Sequence, residues 1–523
     1  MRVLFVYPSL DCPPGVNHGL AAMSGVLKSH GHETDLIHAC EKLAPIPTHE
    51  EMIEKVREYR PGIIGFSVMS QQYAWSCAAS KAIRQAFPEI PQVIGGVHCT
   101  MVPDDVTADE VFDYVCVGEG DFAMLELVER LEKGGDTTTI PNLRMVRDGE
   151  TIVNPVGPFP DLNELPLKDY ELFDMGHILN VKRGWLSVIT SRGCPSKCTY
   201  CFNKEIVDLY KEEGGAKSAK EYLRHYSIER ILNEIRALKE KYPQIETVIF
   251  DDDLFTLNRR YVEEFCQAYR DSGINLRFVV NAHFQQFNDD MARPLAEAGC
   301  NIVKFGLESG SQRVRKEVLW RFMTNKKIEE GIAAAHRQGL HTSSFIMLGL
   351  PTETREEIEE TLQLCADTQL GRFRWAIFYP FPGTAAYRIS KEHDLIDWEK
   401  WSNMGNYFDA SCLRFGSEHD LYLDKVGTVC NWYVNARTDW ESAPTYRALV
   451  DQIEAMNMEE WQEFKKTARD RDREISERFL ERRIPHYSIR YAHVMGVHSD
   501  FVLWEREQLE RGTIKGRVTY TLD

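Results

Sequence analysis

Apolar and polar positions follow one another in the rhythm of alternating strands and helices over two long stretches of the chain. Between residues 1 and 135, short apolar runs such as RVLFVY, GIIGFSV and QVIGG are separated by amphipathic segments such as YAWSCAASKAIRQAF. Apolar runs of this length are typical of buried parallel strands, and apolar residues spaced by three or four are typical of helices. The pattern predicts a doubly wound, Rossmann-like α/β domain whose open parallel sheet is covered on both faces.

The starts of two helices are marked by capping residues. Thr48 and Glu51 stand three residues apart at the start of THEEMIEKVREY and predict a capping box. Ser227 is the first residue of SIERILNEIRALKEKY, whose apolar residues repeat at helical spacing, and is predicted as the N-cap of this helix.

The strand and helix rhythm returns at about residue 185, after a stretch rich in Pro, Gly and Asn that predicts a small hairpin and an extended linker. Six further units of strand and helix are expected, and their strands are LSVIT, ETVIFDDD, INLRFVVNAHF, CNIVKFGLESG, HTSSFIMLGLP and RFRWAIFYPFPGT. Six units fall short of the eight of a closed barrel, so the pattern predicts a partial (β/α)6 TIM barrel. Active sites of such folds lie at the carboxyl ends of the strands, where the segments DDD, NAH, ESG and LGLP would face one opening.

The rhythm weakens after about residue 390, where six of the ten tryptophans and a long charged helix, EEWQEFKKTARDRDREISERFLERR, are found. We expect a mostly α-helical C-terminal domain that is either a substrate-binding lid or a cap over the barrel. The predicted domains are 1–140 (sheet), 141–182 (linker), 183–390 (partial barrel) and 391–523 (helical domain).

Composition narrows the class of protein. The 523 residues carry 62 Lys and Arg against 80 Asp and Glu, a formal charge of −18, which argues against a nucleic-acid backbone as the main ligand. The sequence shows neither a long uncharged apolar run nor the basic and apolar regions of a signal peptide, so no transmembrane segment is predicted. A cytoplasmic protein is expected, in which the thirteen cysteines do not form disulfides.

Three of these cysteines, Cys194, Cys198 and Cys201, fall within eight residues in TSRGCPSKCTYCFN. Three thiolates on a tight loop suit one iron–sulfur cube whose fourth iron keeps an open position for chemistry. Zinc with a distant fourth ligand and three packed core cysteines are the alternatives, and the neighbouring Arg192 and Asn203 disfavour packed core cysteines because they make the loop polar.

The segment GCPSKCTYCFN resembles the signature of the radical S-adenosylmethionine (radical SAM) enzymes. The resemblance implies that Cys194, Cys198 and Cys201 hold a [4Fe–4S] cluster. It also implies that the methionyl amine and carboxylate of S-adenosylmethionine chelate the fourth iron. One electron then cleaves the sulfonium to a 5′-deoxyadenosyl radical.

Other segments resemble further motifs of this family, namely IETVIFDDDLFT, VKFGLESGSQRV, IMLGLPTET and FYPFPGTAAY. The residues that the resemblance implies for binding S-adenosylmethionine are Tyr200, Asp252, Asn281, Glu308 and Ser309. A structural salt bridge is the alternative for Glu308. His283 is interpreted as structural or catalytic, and Asp251, Asp252 and Asp253 cannot all converge on one metal because strand residues alternate faces.

The N-terminal region resembles the cobalamin-binding domain that precedes the radical core in one large subfamily, on the segments GLAAMSGVLKSHGHETDLI, IIGFSVMS, QVIGGVHCT and YVCVGEGD. The residues implied for cobalamin are Ser67, Met69, Ser70, Gly95, Gly96, His98, Gly118, Glu119 and Gly120. The glycines would let the backbone approach a bulky ligand, although turns alone also favour glycine. The Asp-x-His-x-x-Gly motif of other cobalamin proteins is absent, so the lower face of cobalt is not expected to carry a histidine from that position, and His98 is not interpreted as a cobalt ligand.

The resemblance implies a cobalamin-dependent radical SAM enzyme that methylates an unactivated carbon of a lipid, a tetrapyrrole or a natural-product intermediate. Its cofactors would be a [4Fe–4S] cluster, S-adenosylmethionine and cobalamin, with flavodoxin or ferredoxin as electron donor. Three alternatives remain: a radical cyclase, ring-contraction or rearrangement enzyme with the same cofactors, a radical SAM enzyme whose N-terminal domain binds no cobalamin, and a non-enzymatic cobalamin or iron–sulfur sensor.

Overall fold

The computed structural model describes residues 1–403, 410–490 and 494–511. The chain divides into two compact units. The first comprises Met1–Lys197, Cys201–Gln244 and Phe381–Thr384, and the second comprises Cys198–Tyr200, Ile245–Pro380 and Ala385–Asp523. The cysteine loop therefore contributes Cys194 and Cys201 to the first unit and Cys198 to the second. The domain boundaries expected from the sequence stay a prediction.

The first unit is built on a seven-stranded sheet. Its strands are β1 (Arg2–Pro8), β2 (Glu33–Ala39), β3 (Ile63–Ser67), β4 (Gln92–Gly95), β5 (Tyr114–Cys116), β6 (Leu143–Arg147) and β7 (Glu150–Val153). Its helices are α1 (His18–Ser29), α2 (His49–Tyr59), α3 (Tyr73–Ala86), α4 (Val97–Met101), α5 (Pro103–Ala108) and α6 (Asp121–Lys133). The order is β2-β1-β3-β4-β5-β6-β7, in which the first five strands are parallel and the hairpin β6–β7 is antiparallel. The predicted doubly wound sheet and the predicted hairpin are both confirmed.

The remainder of the first unit contains the start of the cysteine loop. Its elements are α7 (Met175–Val181), β8 (Trp185–Val188), β9 (Ser191–Arg192), α8 (Phe202–Glu212), β10 (Arg224–His225) and α9 (Ile228–Lys241). The expected linker is thus partly helical. It is also fastened by a buried ion pair, because Lys168 Nζ lies 2.8 Å from an oxygen of Glu234 on α9.

The second unit alternates strands and helices in chain order. The strands β11 (Thr247–Phe250), β12 (Arg277–Ala282), β13 (Cys300–Glu308), β14 (His341–Leu348) and β15 (Arg372–Ile377) pair in parallel, each with the next. Between and after them lie α10 (Arg259–Asp271), α11 (Asp289–Glu297), α12 (Asn325–Arg337), α13 (Arg355–Asp367) and α14 (Ala385–Glu392). Together with β8, all six strands predicted for the partial barrel are present.

The C-terminal region is mostly α-helical, as the sequence predicts, and also contains two short strands. It contains α15 (Trp398–Asn403), α16 (Ser417–Ala436), α17 (Ala443–Glu454), α18 (Met458–Glu481) and α19 (Ser499–Glu510), and also the strands β16 (Tyr487–Ile489) and β17 (Met495–His498). Strand β17 pairs with β15 in antiparallel orientation and β16 pairs with β17, so this region extends the sheet of the second unit. The two strands are only three and four residues long, which is too short for a periodic signal in the sequence.

The predicted helix caps are confirmed. The side chain of Thr48 accepts the Glu51 N–H while Glu51 accepts the Thr48 N–H, and Ser227 accepts the Arg230 N–H. In the described part of the chain, no helix has the length and apolar character needed to cross a membrane.

Candidate functional site

The cysteine loop leaves β9 through a glycine that no other residue could replace without strain. Gly193 has a φ of +89°, and a Cβ there would collide with the carbonyl oxygen of Tyr222. Cys194 and Cys198 are buried, and Cys201 is partly buried at the N-cap position of α8. The N-terminus of a helix favours an anionic group, as a thiolate ligand is.

The Cys201 sulfur is held by its neighbours in the first unit. Asn203 Nδ2 donates to Cys201 Sγ at 3.4 Å, and the Tyr222 hydroxyl donates to Asn203 Oδ1 at 2.6 Å. Within the described ranges, no three His, Cys, Asp or Glu side chains converge as a preformed metal site. The assignment of three thiolates to one cluster therefore depends on their spacing in the sequence.

In the second unit, the side chains of Cys198, Tyr200, Glu308 and Arg321 come together from three segments of the chain. The Tyr200 hydroxyl donates to Glu308 Oε1 at 2.9 Å, and Arg321 Nη1 lies 3.4 Å from both the Tyr200 oxygen and Cys198 Sγ. Arg321 Nη2 donates to the Gly306 carbonyl at 2.6 Å. A cysteine of the predicted cluster thus lies beside a carboxylate and a guanidinium.

The backbone of FGLES explains how Glu308 reaches this position. Glu308 ends β13 with a φ of +66°, after a register shift between Gly306 and Glu308. A Cβ at Gly306 would collide with the Glu308 carboxylate, so glycine two residues earlier leaves room for the side chain to fold back. The Ser309 carbonyl then accepts Arg315 Nη1 at 2.6 Å, which anchors the turn.

The electrostatics of this set are dominated by burial. Burial raises the pKa of Glu308, and Arg321 and Tyr200 lower it only in part. Burial lowers the pKa of Arg321, but the neighbouring Tyr200, Glu308 and Cys198 raise it by more, so the guanidinium stays charged.

The other residues predicted for S-adenosylmethionine are placed differently. Asp252 is buried while Asp251 and Asp253 are exposed, which confirms that the three do not converge. Asn281 Nδ2 donates to the Asp252 carbonyl at 2.8 Å, so these two lie together at the ends of β11 and β12. Ser309 is fully buried, and its hydroxyl accepts the Ser311 N–H at 3.2 Å.

His283 follows β12 and is a poor proton donor in this environment. Burial, together with the smaller effect of the nearby Arg321 charge, lowers the pKa of His283 to about 3. Its Nδ1 accepts the Gln285 N–H at 3.1 Å, which favours the structural interpretation.

The predicted cobalamin residues lie at the carboxyl ends of β3, β4 and β5 in the first unit. Ser67, the last residue of β3, accepts a hydrogen bond from Asn17 Nδ2 at 3.1 Å, and Met69 in the following loop is 39% exposed. His98 is buried on α4, 3.0 Å from the Ser70 hydroxyl, and burial lowers its pKa to about 4. Ligands of doubly wound sheets bind at this edge.

The glycines at this edge make room for the chain itself. Gly96 has a φ of +103°, and a Cβ there would lie 2.5 Å from the carbonyl oxygen and 2.7 Å from the nitrogen of Val68. A Cβ at Gly118 would collide with the Tyr210 hydroxyl, and at Gly95 or Gly120 it would lie 3.2–3.3 Å from atoms of Cys116. The close approach predicted for these glycines is thus made by neighbouring residues of the protein.

The Glu119 side chain is engaged in ion pairs. Its carboxylate contacts Arg192 at 2.9 Å and also pairs with Arg224. The sequence analysis did not identify two residues that contact these sites. In the first unit Asp121 also binds Arg192, and in the second unit Arg321 contacts Cys198. Asp121 ends the segment YVCVGEGD and Arg321 lies outside the quoted motifs, and the role of each is identified only by the side chains that fold against it.

Comparison with known proteins identifies the family. A model of the radical SAM superfamily matches residues 188–365, and a model of the B12 binding domain matches residues 13–128. The chain belongs to the cobalamin-binding radical SAM enzymes. Its enzyme class and its cofactors, a [4Fe–4S] cluster, S-adenosylmethionine and cobalamin, are therefore as the sequence predicts.

Three similar proteins illustrate the range of the family. An uncharacterized methyltransferase of Pyrococcus horikoshii is 26% identical over 417 residues, which are 77% of this chain and 87% of that protein. The anaerobic magnesium-protoporphyrin IX monomethyl ester cyclase of Rubrivivax gelatinosus is 23% identical over 425 residues, 77% of this chain and 72% of the cyclase. The structure of the radical S-adenosylmethionine methyltransferase TsrM from Kitasatospora setae, with tryptophan and a SAM analogue bound, aligns with a TM-score of 0.59. That alignment has 18% identity over 75% of this chain and 76% of TsrM, so it supports the fold alone.

The residues present fit the cofactors of this family. Glu308 and Arg321 offer an anion and a cation side by side, as the ammonium and carboxylate of a methionyl group require. The exposed Met69 and the hydroxyl of Ser70 offer apolar and polar contacts at the edge of the sheet where a corrin would bind.

Proposed function

We propose that this enzyme methylates an unactivated carbon of a lipid, a tetrapyrrole or a natural-product intermediate. The observation that carries the proposal is the buried set of Tyr200, Glu308 and Arg321 beside Cys198, because it supplies both charges that a methionyl group needs next to a cluster ligand. The similarity to a methyltransferase over 77% of the chain supports methyl transfer as the outcome.

Each residue of the proposed S-adenosylmethionine site has a distinct part. Cys194, Cys198 and Cys201 would hold the cluster. Glu308 would accept hydrogen bonds from the methionyl ammonium, and Arg321 would donate to the methionyl carboxylate. When bound, the cofactors would supply one-electron cleavage of S-adenosylmethionine and transfer of a methyl group.

The remaining proposed residues shape the site. Tyr200 orients the Glu308 carboxylate through its 2.9 Å hydrogen bond. Asn281 and Asp252 lie together at the strand ends, and the backbone of Ser309 continues the turn that presents Glu308. Cobalamin would bind along Ser67, Met69, Ser70, His98 and the glycine loops, with Ser67, Met69 and Ser70 under the corrin.

A second candidate function is ring formation with the same cofactors. The similarity to the magnesium-protoporphyrin cyclase favours it, because that similarity spans the same 77% of this chain as the methyltransferase does. The sheet, the cysteine loop and the residues around Glu308 are compatible with methyl transfer and with ring formation. Only the identity of the product distinguishes the two functions.

We further propose that flavodoxin or ferredoxin supplies the electron and that the enzyme works in the cytoplasm without nucleic acid. A reducing compartment agrees with thirteen cysteines, all in the described residues, of which none forms a disulfide. The acidic charge of −18 argues against a nucleic-acid partner.

The experiment is anaerobic incubation of the reconstituted enzyme with S-adenosylmethionine, dithionite, cobalamin and candidate substrates, with products identified by mass. We expect 5′-deoxyadenosine, and its loss in Cys194→Ala, Cys198→Ala and Cys201→Ala. S-adenosylhomocysteine and a product heavier by one methyl group support methyl transfer, whereas a cyclised product without S-adenosylhomocysteine supports the second candidate. Wild-type protein that holds a cluster and forms no 5′-deoxyadenosine would contradict both.

A further inference from the structure

Four charged side chains form a linear chain of ion pairs, in the order Asp121, Arg192, Glu119 and Arg224, at the loop that follows β5. Arg192 donates to both oxygens of Asp121, at 2.8 and 3.0 Å, and to Glu119 Oε2 at 2.9 Å. Arg224 donates to the same Glu119 oxygen at 3.2 Å and to the other oxygen as well. The side chains are 6–19% exposed, and their charges balance.

The two arginines reach this loop from paired strands. Arg192 on β9 lies directly opposite Arg224 on β10 in the antiparallel register, so their side chains leave the same face of the ribbon. Arg192 also precedes Cys194 by only two residues. A bidentate guanidinium–carboxylate pair fixes orientation as well as distance, which a single lysine contact does not.

The same loop is held from the other side of the cysteines. Tyr210 lies on α8, the helix that begins directly after Cys201, and its hydroxyl accepts the Glu119 N–H at 2.8 Å. The Tyr210 ring stacks on Phe159 at 3.9 Å between centroids. Gly118 leaves the space that the Tyr210 hydroxyl fills.

We propose that Glu119 and Asp121 are positioning residues that dock the cysteine loop, through Arg192, Arg224 and Tyr210, onto the cobalamin-binding edge of the sheet. Their role is to set the distance between the cluster and cobalt. This inference rests on the proposed function, because the distance between the cluster and cobalt matters only if the enzyme uses both cofactors in one reaction. It replaces the sequence-based expectation that the Glu119 side chain binds cobalamin, since that contact would require Glu119 to leave two buried guanidinium groups.

Arg192→Gln tests the docking, and Arg84→Gln is the matched control. Arg84 forms a similar two-pronged ion pair with Asp113, at 2.9 and 3.3 Å, but Asp113 precedes β5 whereas Glu119 follows it. In hydrogen-exchange mass spectrometry of the cofactor-free proteins, we expect amides of residues 193–201 to exchange about ten-fold faster in Arg192→Gln and unchanged in Arg84→Gln. Equal exchange in the two variants would overturn the docking.

The distance is measured by pulsed electron paramagnetic resonance between Co(II) and the reduced cluster in reconstituted protein. We expect one narrow distance distribution in the wild type and in Arg84→Gln, a broad or shifted one in Arg192→Gln, and partial recovery in Arg192→Lys. An unchanged distribution in Arg192→Gln overturns the positioning role. Absence of either signal in the wild type instead contradicts the proposed function, and hydrogen exchange still decides the docking. If Arg192→Gln does not fold, Glu119→Gln removes one charge at nearly constant shape and is judged by the same criteria.

Discussion

The Glu308 turn of the second unit and the glycine loops of the first unit both come from short motifs, but they use their residues in opposite ways. At the Glu308 turn, a glycine makes room for a carboxylate of the protein, and that carboxylate meets Tyr200 and Arg321. At the sheet edge, Gly96 and Gly118 make room for Val68 and Tyr210, and the acids are paired with arginines. The first motif presents a charged side chain, whereas the second shapes the backbone.

The comparison would fail if Gly96 left room for the corrin and were not needed for folding. We expect Gly96→Ala to destabilise the cofactor-free protein by about 3 kcal/mol, because the alanine Cβ meets the Val68 backbone and the conformation suits only glycine. Gly134→Ala is the control for positive φ alone, since its φ is +67° with no atom within 4 Å, and should cost about 1 kcal/mol. Thermal melting measures both. A Gly96→Ala protein that melts like the wild type and loses only cobalamin would reverse the interpretation.

The proposed binding role of Glu308 is tested by removing its charge. Glu308→Gln should lower kcat/KM for S-adenosylmethionine, measured by 5′-deoxyadenosine formation, about 30-fold. This corresponds to about 2 kcal/mol, because the methionyl ammonium loses a charged acceptor. Asp472→Asn is a matched control in a second buried acid with a raised pKa, which binds Asn431 and Trp432 in the helical region. Asp472→Asn should lower the melting temperature and leave kcat/KM for S-adenosylmethionine unchanged. Equal values of kcat/KM in the two variants would show that Glu308 does not bind S-adenosylmethionine.

The buried acid Glu353, near the end of β14, allows the second unit to be tested through the pH dependence of stability. Burial raises the pKa of Glu353 to about 8, while Gly349 and Leu350 N–H groups donate to one of its oxygens. The folded state therefore holds a proton that the unfolded state releases above its ordinary pKa, so stability falls as pH rises from about 4.5 to about 8 and then levels off. Glu353→Gln removes this slope.

Melting of both proteins across pH 5.5 to 8.5 checks the sign. We expect the wild type to lose at least about 1 kcal/mol relative to Glu353→Gln over this range. Parallel melting curves, or a wild type that gains stability with pH, would show that Glu353 is ionised in the fold.

The smallest expected effect is at the exposed side chain of the cobalamin edge. Met69→Ala should weaken cobalamin binding about four-fold, or about 0.8 kcal/mol, because the exposed part of the methionine would lose its apolar contact with the corrin. Titration of the purified protein with cobalamin measures this. Val153, an exposed residue of β7, is the control, and Val153→Ala should bind like the wild type. Equal affinities of the two variants would place the corrin away from Met69.

Much of the fold could be predicted because local periodicity and burial coincide. The five parallel strands of the first sheet, the six strands of the partial barrel and the caps at Thr48 and Ser227 all carry patterns within about ten residues. Strands β16 and β17 carry no such pattern. They form because β17 pairs with β15 and β16 pairs with β17. The site divides similarly, since Cys194, Cys198, Cys201 and Glu308 are marked by motifs. Arg321 lies outside every such motif, and Asp121, although it ends YVCVGEGD, takes its partner from a distant part of the chain.

The sequence by itself determined the family, the cysteine spacing and the order of strands and helices, because each of these depends on residues close together along the chain. Only the tertiary structure decided what Glu119, Asp121 and Arg321 touch. Arg192 lies more than seventy positions from Glu119, and Arg321 lies more than a hundred from Tyr200. Contacts of such separation are set by how the strands assemble, and a buried charge takes its role from the partner that this assembly brings to it.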